Sequence, residues 1–323
     1  MTPNRVVIVN KTYPKAGLDF LKDNGLEATV LPILDHYPES LEEIKKNIPG
    51  YDALIWNTKH RLTPELLELA GSKLKAVSTM ASGTDHIDMS ELKQRGILVG
   101  NTLRVLDEAV ADIAVGLMIG AARNFKEGIR TMENGTWKYG AQCLLGQDIS
   151  GSTVGIVGFG GIGQAIVRRL KGFGVAKFIY CGRADKPEAK ELNAERVPLE
   201  ELLIESDFVI LACPLTDETR NLINKDTLDI MKSNSVVVNI GRGGLIDQTA
   251  LYEALKSRRI FAAGLDVITP EPTPKDHPLL TLDNCFITPH LGTATIQTRD
   301  NMAVLAAQNI VLALSGKPMV YPC

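Results

Sequence analysis

Apolar positions along the chain alternate between short runs and helical spacing. Residues 5–9, 27–31, 53–56, 76–79 and 97–99 are short apolar or β-branched runs, and each predicts a strand. Between them, residues 16–23 keep helical spacing and stop near Gly25. Ser40-x-x-Glu43 reads as a capping box for a helix through Lys46. Thr63 followed by Pro64 reads as a helix start, with Gly71 as its stop. Strands alternating with helices predict a parallel sheet covered by helices. Residues 105–123 are apolar on most sides, which predicts a helix buried in a core, between domains or between subunits. A second helix over 125–133 leads into the loop 134–150, where Trp137 reads as a packing residue.

The same alternation resumes with strands at 153–157, 177–180, 208–211, 236–239, 262–265 and 286–288, and helical stretches such as 247–257 between most of them. A long helix over 295–315 is expected to pack back on the first domain. The fold class that follows is α/β, with two parallel-sheet domains of Rossmann-like or flavodoxin-like type.

Composition narrows the function classes. A chain of 323 residues is long enough for two domains, each with its own core. A net charge of −3 with no basic stripe argues against nucleic acid as a partner. No apolar run reaches the length of a membrane span, and the start MTPNRVVIVN lacks the build of a signal peptide. Cysteines at 143, 181, 213, 285 and 323 form no C-x-x-C pair, so reduced thiols in a cytoplasmic protein are expected. His36, His60, His86 and His277 show no metal-ligand spacing, and no metal site is expected.

Candidate chemistry begins at VGFGGIG, residues 157–163, where Gly158, Gly160 and Gly163 follow a predicted strand and open a predicted helix. The first glycine permits a tight turn, the second lets a pyrophosphate approach the backbone, and the third lets helix and sheet pack closely. The helix N-terminus then offers unpaired N–H groups and a positive dipole end to the phosphates. In such a sheet ligands bind beyond the strand ends. Residues in that position are Gly182-Arg183, Cys213-Pro214, Gly241-Arg242, Asp266 and Pro289-His290.

The motifs VNIGRGGLID at 238–247, GLDV at 264–267, TPEP at 269–272, TPHLGTAT at 288–295 and STMASGTDHID at 78–88, together with VGFGGIG, resemble in order and spacing those of the D-2-hydroxyacid dehydrogenases. Within that family they are most similar to the glyoxylate/hydroxypyruvate reductases. The resemblance runs along essentially the whole chain and leaves no room for an added regulatory domain. It implies a dinucleotide domain over 103–290 inserted into a substrate domain over 1–102 that is completed by 291–323. It also implies a homodimer.

Reducing a 2-keto acid calls for a cation on the carboxylate and carbonyl, an acid for the nascent alkoxide, and a group to hold that acid charged. By resemblance these are Arg242, His290 and Glu271, and the residue types suit the tasks. A guanidinium fork matches a carboxylate, imidazole exchanges protons near neutrality, and a nearby carboxylate favours and orients the imidazolium. The resemblance further implies that Ser82 and Gly83 bind the substrate carboxylate with Arg242 and His290. It assigns cofactor contacts to Gly158, Gly160, Gly161, Ile162, Gly163, Cys213, Pro214, Ile240 and Gly292, and a bond from the nicotinamide amide to Asp266. Gly161 stands where many relatives have Arg, which costs no backbone cradle.

An NAD-selective site places an acid at the end of the second strand for the ribose hydroxyls. Here positions 181 and 182 carry none, Arg183 follows, and Lys186 lies nearby, which predicts NADPH preference with NADH as the alternative. Asp185 is the opposing feature. Rival readings are a family member acting on another substrate such as pyruvate, formate or phosphite, and a corepressor-type protein that senses the dinucleotide without turning it over. Formate oxidation needs no acid, whereas the Arg–Glu–His set supplies one.

Overall fold

The computed structural model describes residues 4–34 and 39–323. His36 lies outside them. The chain forms two compact units, one of residues up to Leu106 together with Ala294–Cys323, the other of Asp107–Thr293. The second is inserted in the sequence of the first.

The first unit opens with β1 (Arg5–Ile8), α1 (Lys15–Asp23), β2 (Glu27–Val30), α2 (Ser40–Asn47), β3 (Ala53–Ile55), α3 (Pro64–Ala70), β4 (Ala76–Ser78), α4 (Met89–Gln94) and β5 (Leu98–Gly100). The strands are parallel in the order β2-β1-β3-β4-β5, the flavodoxin-like order. β3 and β4 are buried along their whole length, which is why β3 reads as a continuous apolar run and β4 as one ended by the buried Ser78. Thr63 caps α3 by accepting the Leu66 N–H, and Gly71 follows at φ 84°. The capping box expected at Ser40 does not form. The helix starts one residue earlier with Glu39 as its N-cap and no side-chain cap, and Ser40 Oγ instead hydrogen-bonds His60 Nε2.

The second unit contains α5 (Asp107–Ala122), α6 (Phe125–Glu133), β6 (Thr153–Val157), α7 (Gly161–Leu170), β7 (Lys177–Cys181), α8 (Glu188–Leu192), β8 (Ala194–Arg196), α9 (Leu199–Glu205), β9 (Phe208–Leu211), α10 (Lys225–Ile230), β10 (Val236–Asn239), α11 (Gln248–Lys256), β11 (Ala262–Leu265) and β12 (Cys285–Ile287). Its seven parallel strands run β12-β11-β10-β9-β6-β7-β8, so the order reverses between β6 and β9. Ligands of doubly wound sheets bind at that reversal. α5 is a core helix of this unit, packed on β10, β11, β12 and α7. α6 buries none of its residues, and Trp137 in the following loop is 62% exposed rather than packed.

The chain then returns to the first unit as α12 (Ile296–Leu314), which packs on α1, β3, β4 and β5. Asn309, fully buried, fastens it there. Its Nδ2 donates to Asn101 O, and its Oδ1 accepts the N–H groups of Val320 and Tyr321. Among the described residues no helix is long and apolar enough to cross a membrane.

Candidate active site

The glycine turn sits between β6 and α7, at the topological reversal of the larger sheet. Gly158 has φ 96°, and a Cβ there would stand 2.7 Å from Ala212 O and 2.8 Å from the Cys213 Cα. A Cβ on Gly163 would stand 2.4 Å from Gly158 O, so α7 can approach the turn only without a side chain at that position. Gly160 differs, since a Cβ there would meet nothing within 4 Å. The chain itself has no steric need for that glycine, and the space above it is open to a ligand. No side chain caps α7, whose first turn comprises Gly161, Ile162 and Gly163. An uncapped ten-residue helix beneath an open glycine suits a pyrophosphate.

Arg242 follows β10. Asn239, at the end of that strand and fully buried, accepts the Gly241 N–H on Oδ1 at 3.0 Å and donates Nδ2 to Arg242 O at 2.8 Å. These two bonds shape the turn, and Arg242 Nη1 adds another by donating to Gly241 O at 2.9 Å. A Cβ on Gly243 would stand 2.5 Å from the Ile268 carbonyl carbon, so the Arg242 turn lies directly against the segment that leads to Glu271.

Glu271 and His290 meet. His290 Nδ1 is 2.8 Å from Glu271 Oε2, the proton on Nδ1 being donated to the carboxylate. That assignment leaves Nε2 as the nitrogen available to a ligand. His290 has φ 56°, in the left-handed region that non-glycine residues seldom occupy. Asp266 holds it there. Asp266 is 2% exposed, its backbone O accepts the His290 N–H at 2.9 Å, and its carboxylate accepts three more bonds. Those come from Thr288 Oγ1 at 2.6 Å, Leu291 N at 2.7 Å and Gly292 N at 2.8 Å. The side chain that sequence resemblance assigns to a cofactor amide is thus engaged in fixing the turn that presents His290.

Cys213, Pro214 and Ile240 follow β9 and β10 on the same edge of the sheet. Burial pushes the thiols of Cys181 and Cys213 up to about 11, so neither is a thiolate nucleophile near neutrality. Arg183 lies in the loop after β7 and makes no hydrogen bond or ion pair among the described residues. Ser82 and Gly83 lie in the bend after β4, in the first unit, where Ser82 O accepts the Asn101 Nδ2–H at 3.0 Å. The remaining described histidines have local partners. His60 bonds Ser40, His86 bonds Thr79, and His277 Nδ1 accepts the Leu279 N–H.

Sequence reasoning does not single out Asn239, which shapes the Arg242 turn, or Thr288, which completes the clamp on Asp266. A buried polar residue ending an apolar strand, as in VVVN, is the signal for the first.

Comparison with known proteins shows the family. Residues 115–292 match the family model described as the D-isomer specific 2-hydroxyacid dehydrogenase NAD-binding domain. The chain is 45% identical to a mouse glyoxylate reductase/hydroxypyruvate reductase over 87% of each chain. It is 41% identical to a glyoxylate reductase of Pyrococcus horikoshii over 96% of this chain and 93% of the other. Among solved structures, an NADPH-dependent glyoxylate/hydroxypyruvate reductase from Sinorhizobium meliloti, in complex with NADP and malonate, superposes with a TM-score of 0.85 at 29% identity, covering 100% of this chain and 97% of that one.

Proposed function

The chain belongs to the D-isomer specific 2-hydroxyacid dehydrogenase family, and on that premise we propose that it reduces small 2-keto acids, glyoxylate to glycolate and hydroxypyruvate to D-glycerate, with NADPH preferred over NADH. The observation that carries this reading is the 2.8 Å pair of His290 and Glu271 in the unit that also holds the glycine turn. A dinucleotide-sensing protein would show negligible turnover with any keto acid, and the rate with hydroxypyruvate separates the two readings.

Gly158, Gly160 and Gly163, with the backbone N–H groups of Gly161 and Ile162, hold the pyrophosphate. Cys213, Pro214 and Ile240 would line the adenosine and nicotinamide side, Asp266 and Gly292 would lie beside the nicotinamide, and Arg183 would receive the 2′-phosphate. The dinucleotide, when bound, supplies the hydride. Arg242 engages the substrate carboxylate through charge-assisted bonds and draws electron density from the neighbouring carbonyl. His290 delivers a proton from Nε2 to the carbonyl oxygen as negative charge develops there. Glu271 keeps the ring oriented through Nδ1. Incubation with hydroxypyruvate and NADPH is expected to give D-glycerate in equal amount to the NADP formed. The L enantiomer would contradict the assignment.

The reading includes a homodimer. Its support is α6, where Phe125, Ile129 and Met132 recur at helical spacing and are all exposed. Sedimentation at twice the 35.1 kDa chain mass is expected, and a monomer at assay concentration would remove this part of the proposal.

A further inference from the structure

The loop joining β7 to α8 is fastened at both ends by side chains of its own unit. Tyr180 Oη accepts the Lys186 N–H at 3.2 Å. The ring of Tyr180, fully buried, stacks on Phe159 of the glycine turn with centroids 4.1 Å apart. The loop that follows the second strand is therefore tied to the turn that follows the first. At its other end stands Arg196, on the edge strand β8. Its Nη2 and Nε donate to Gly182 O at 2.8 and 3.3 Å, and its Nη1 donates to Asp185 Oδ1 at 3.3 Å.

Asp185 is the only carboxylate between Gly182 and Pro187. A carboxylate in this loop is what a dinucleotide site uses to bind ribose hydroxyls, and its charge repels a 2′-phosphate. In this chain that carboxylate is engaged by a guanidinium, while Arg183 beside it has no partner among the described residues. The Arg196 pair is 41% and 85% exposed, so it adds little to the stability of the fold. What it does change is the local charge and the direction in which Asp185 points.

We propose that Arg196 is a positioning residue for dinucleotide selectivity. By holding the Gly182 carbonyl and pairing with Asp185, it keeps the loop's carboxylate from the ribose and leaves Arg183 to receive a 2′-phosphate. The proposal rests on the NADPH reading and adds a residue from a different strand. It also gives Asp185 a defined partner. Removal of Arg196 releases Asp185 to face the ribose, which opposes the 2′-phosphate and favours the free hydroxyl.

The test is calorimetric binding of NADP+ and of NAD+ to the wild type, Arg196→Ala, Arg196→Lys and the double variant Arg196→Ala with Asp185→Asn. Arg196→Ala is expected to weaken NADP+ on the order of fivefold to tenfold, the effect of one nearby charge in water-exposed surroundings. NAD+ binding is expected to be unchanged or tighter. Arg196→Lys should recover part of the NADP+ affinity through its charge, and the double variant should recover it by removing the repulsion. The ratio change should shrink as salt is added. Equal weakening of both dinucleotides would reduce Arg196 to a structural brace, and no change in either would leave it inert; both results overturn the proposal. Wild-type preference for NAD+ would instead overturn the NADPH reading, and the shift of the ratio on Arg196→Ala would still report the role of Arg196.

Discussion

Replacing His290 by Asn is expected to lower turnover by ~10²–10⁴-fold, the range for loss of a positioned general acid, with dinucleotide binding retained. Asn is the informative substitution because His290 has φ 56°, a conformation that Asn tolerates better than Ala does. The Asn side chain cannot deliver a proton, yet the turn held by Asp266 keeps its backbone bonds, since the donors are main-chain N–H groups of residues 290–292 and the Thr288 hydroxyl. Each tenfold of lost rate corresponds to about 1.4 kcal/mol of transition-state stabilisation. Steady-state rates with hydroxypyruvate, beside calorimetric dinucleotide binding, check this. Unchanged turnover would remove His290 from the acid role and with it the function assigned to Glu271.

The second large effect is expected at Arg242. Arg242→Gln should reduce kcat/KM for keto acids by ~10²–10³-fold, the scale for removing one preorganised group that stabilises charge in the transition state. Arg242→Lys should recover only part, because an ammonium keeps the charge but lacks the planar fork that matches a carboxylate. Either change removes the guanidinium bond to Gly241 O and leaves the two Asn239 bonds that hold the turn. Asn239 bonds the backbone of Gly241 and Arg242, not the guanidinium. Thermal melting should therefore move little while the kinetics move strongly. Wild-type kcat/KM in Arg242→Gln would contradict the assignment of the carboxylate site.

Why some of this was legible in the sequence, and some was not, follows from where each residue sits. Strands β3, β4, β9, β10 and β11 are buried on both faces, so they appear as largely apolar runs bounded by turns, with Ser78 and Asn239 as polar ends of β4 and β10. The residues just past β10 and β11 then mark the strand-end edge before any coordinates are known, which is why Arg242 and Asp266 stand out, whereas His290 follows the less buried β12. β8 is the reverse case. Ala194-Glu195-Arg196 is a short edge strand with two of three residues exposed, so it carries no apolar signal, and Arg196 stayed out of view with it. α4 is similarly quiet, six residues with Leu92 alone buried and a start set by Asp88 accepting the Glu91 N–H.

Side-chain partnerships between distant residues were the least legible. Nothing in GLDV or PHLG states that Asp266 spends its carboxylate on the backbone of Leu291 and Gly292, because main-chain donors leave no mark on the sequence. The failed capping box shows a related limit. Ser40 and Glu43 have the right spacing, but the tertiary partner His60 takes the Ser40 hydroxyl. Arginine and aspartate at 183 and 185 pull a sequence reading in opposite directions, and the bond from Arg196 to Asp185 leaves no mark in the sequence.

The most direct measurement is the rate of NADPH and NADH oxidation by the wild-type protein with hydroxypyruvate, glyoxylate and pyruvate in parallel. Fast turnover of hydroxypyruvate and glyoxylate with NADPH, slower turnover of both with NADH, and little turnover of pyruvate are expected. Turnover confined to pyruvate, or absent with all three acids under both dinucleotides, would contradict the reductase assignment.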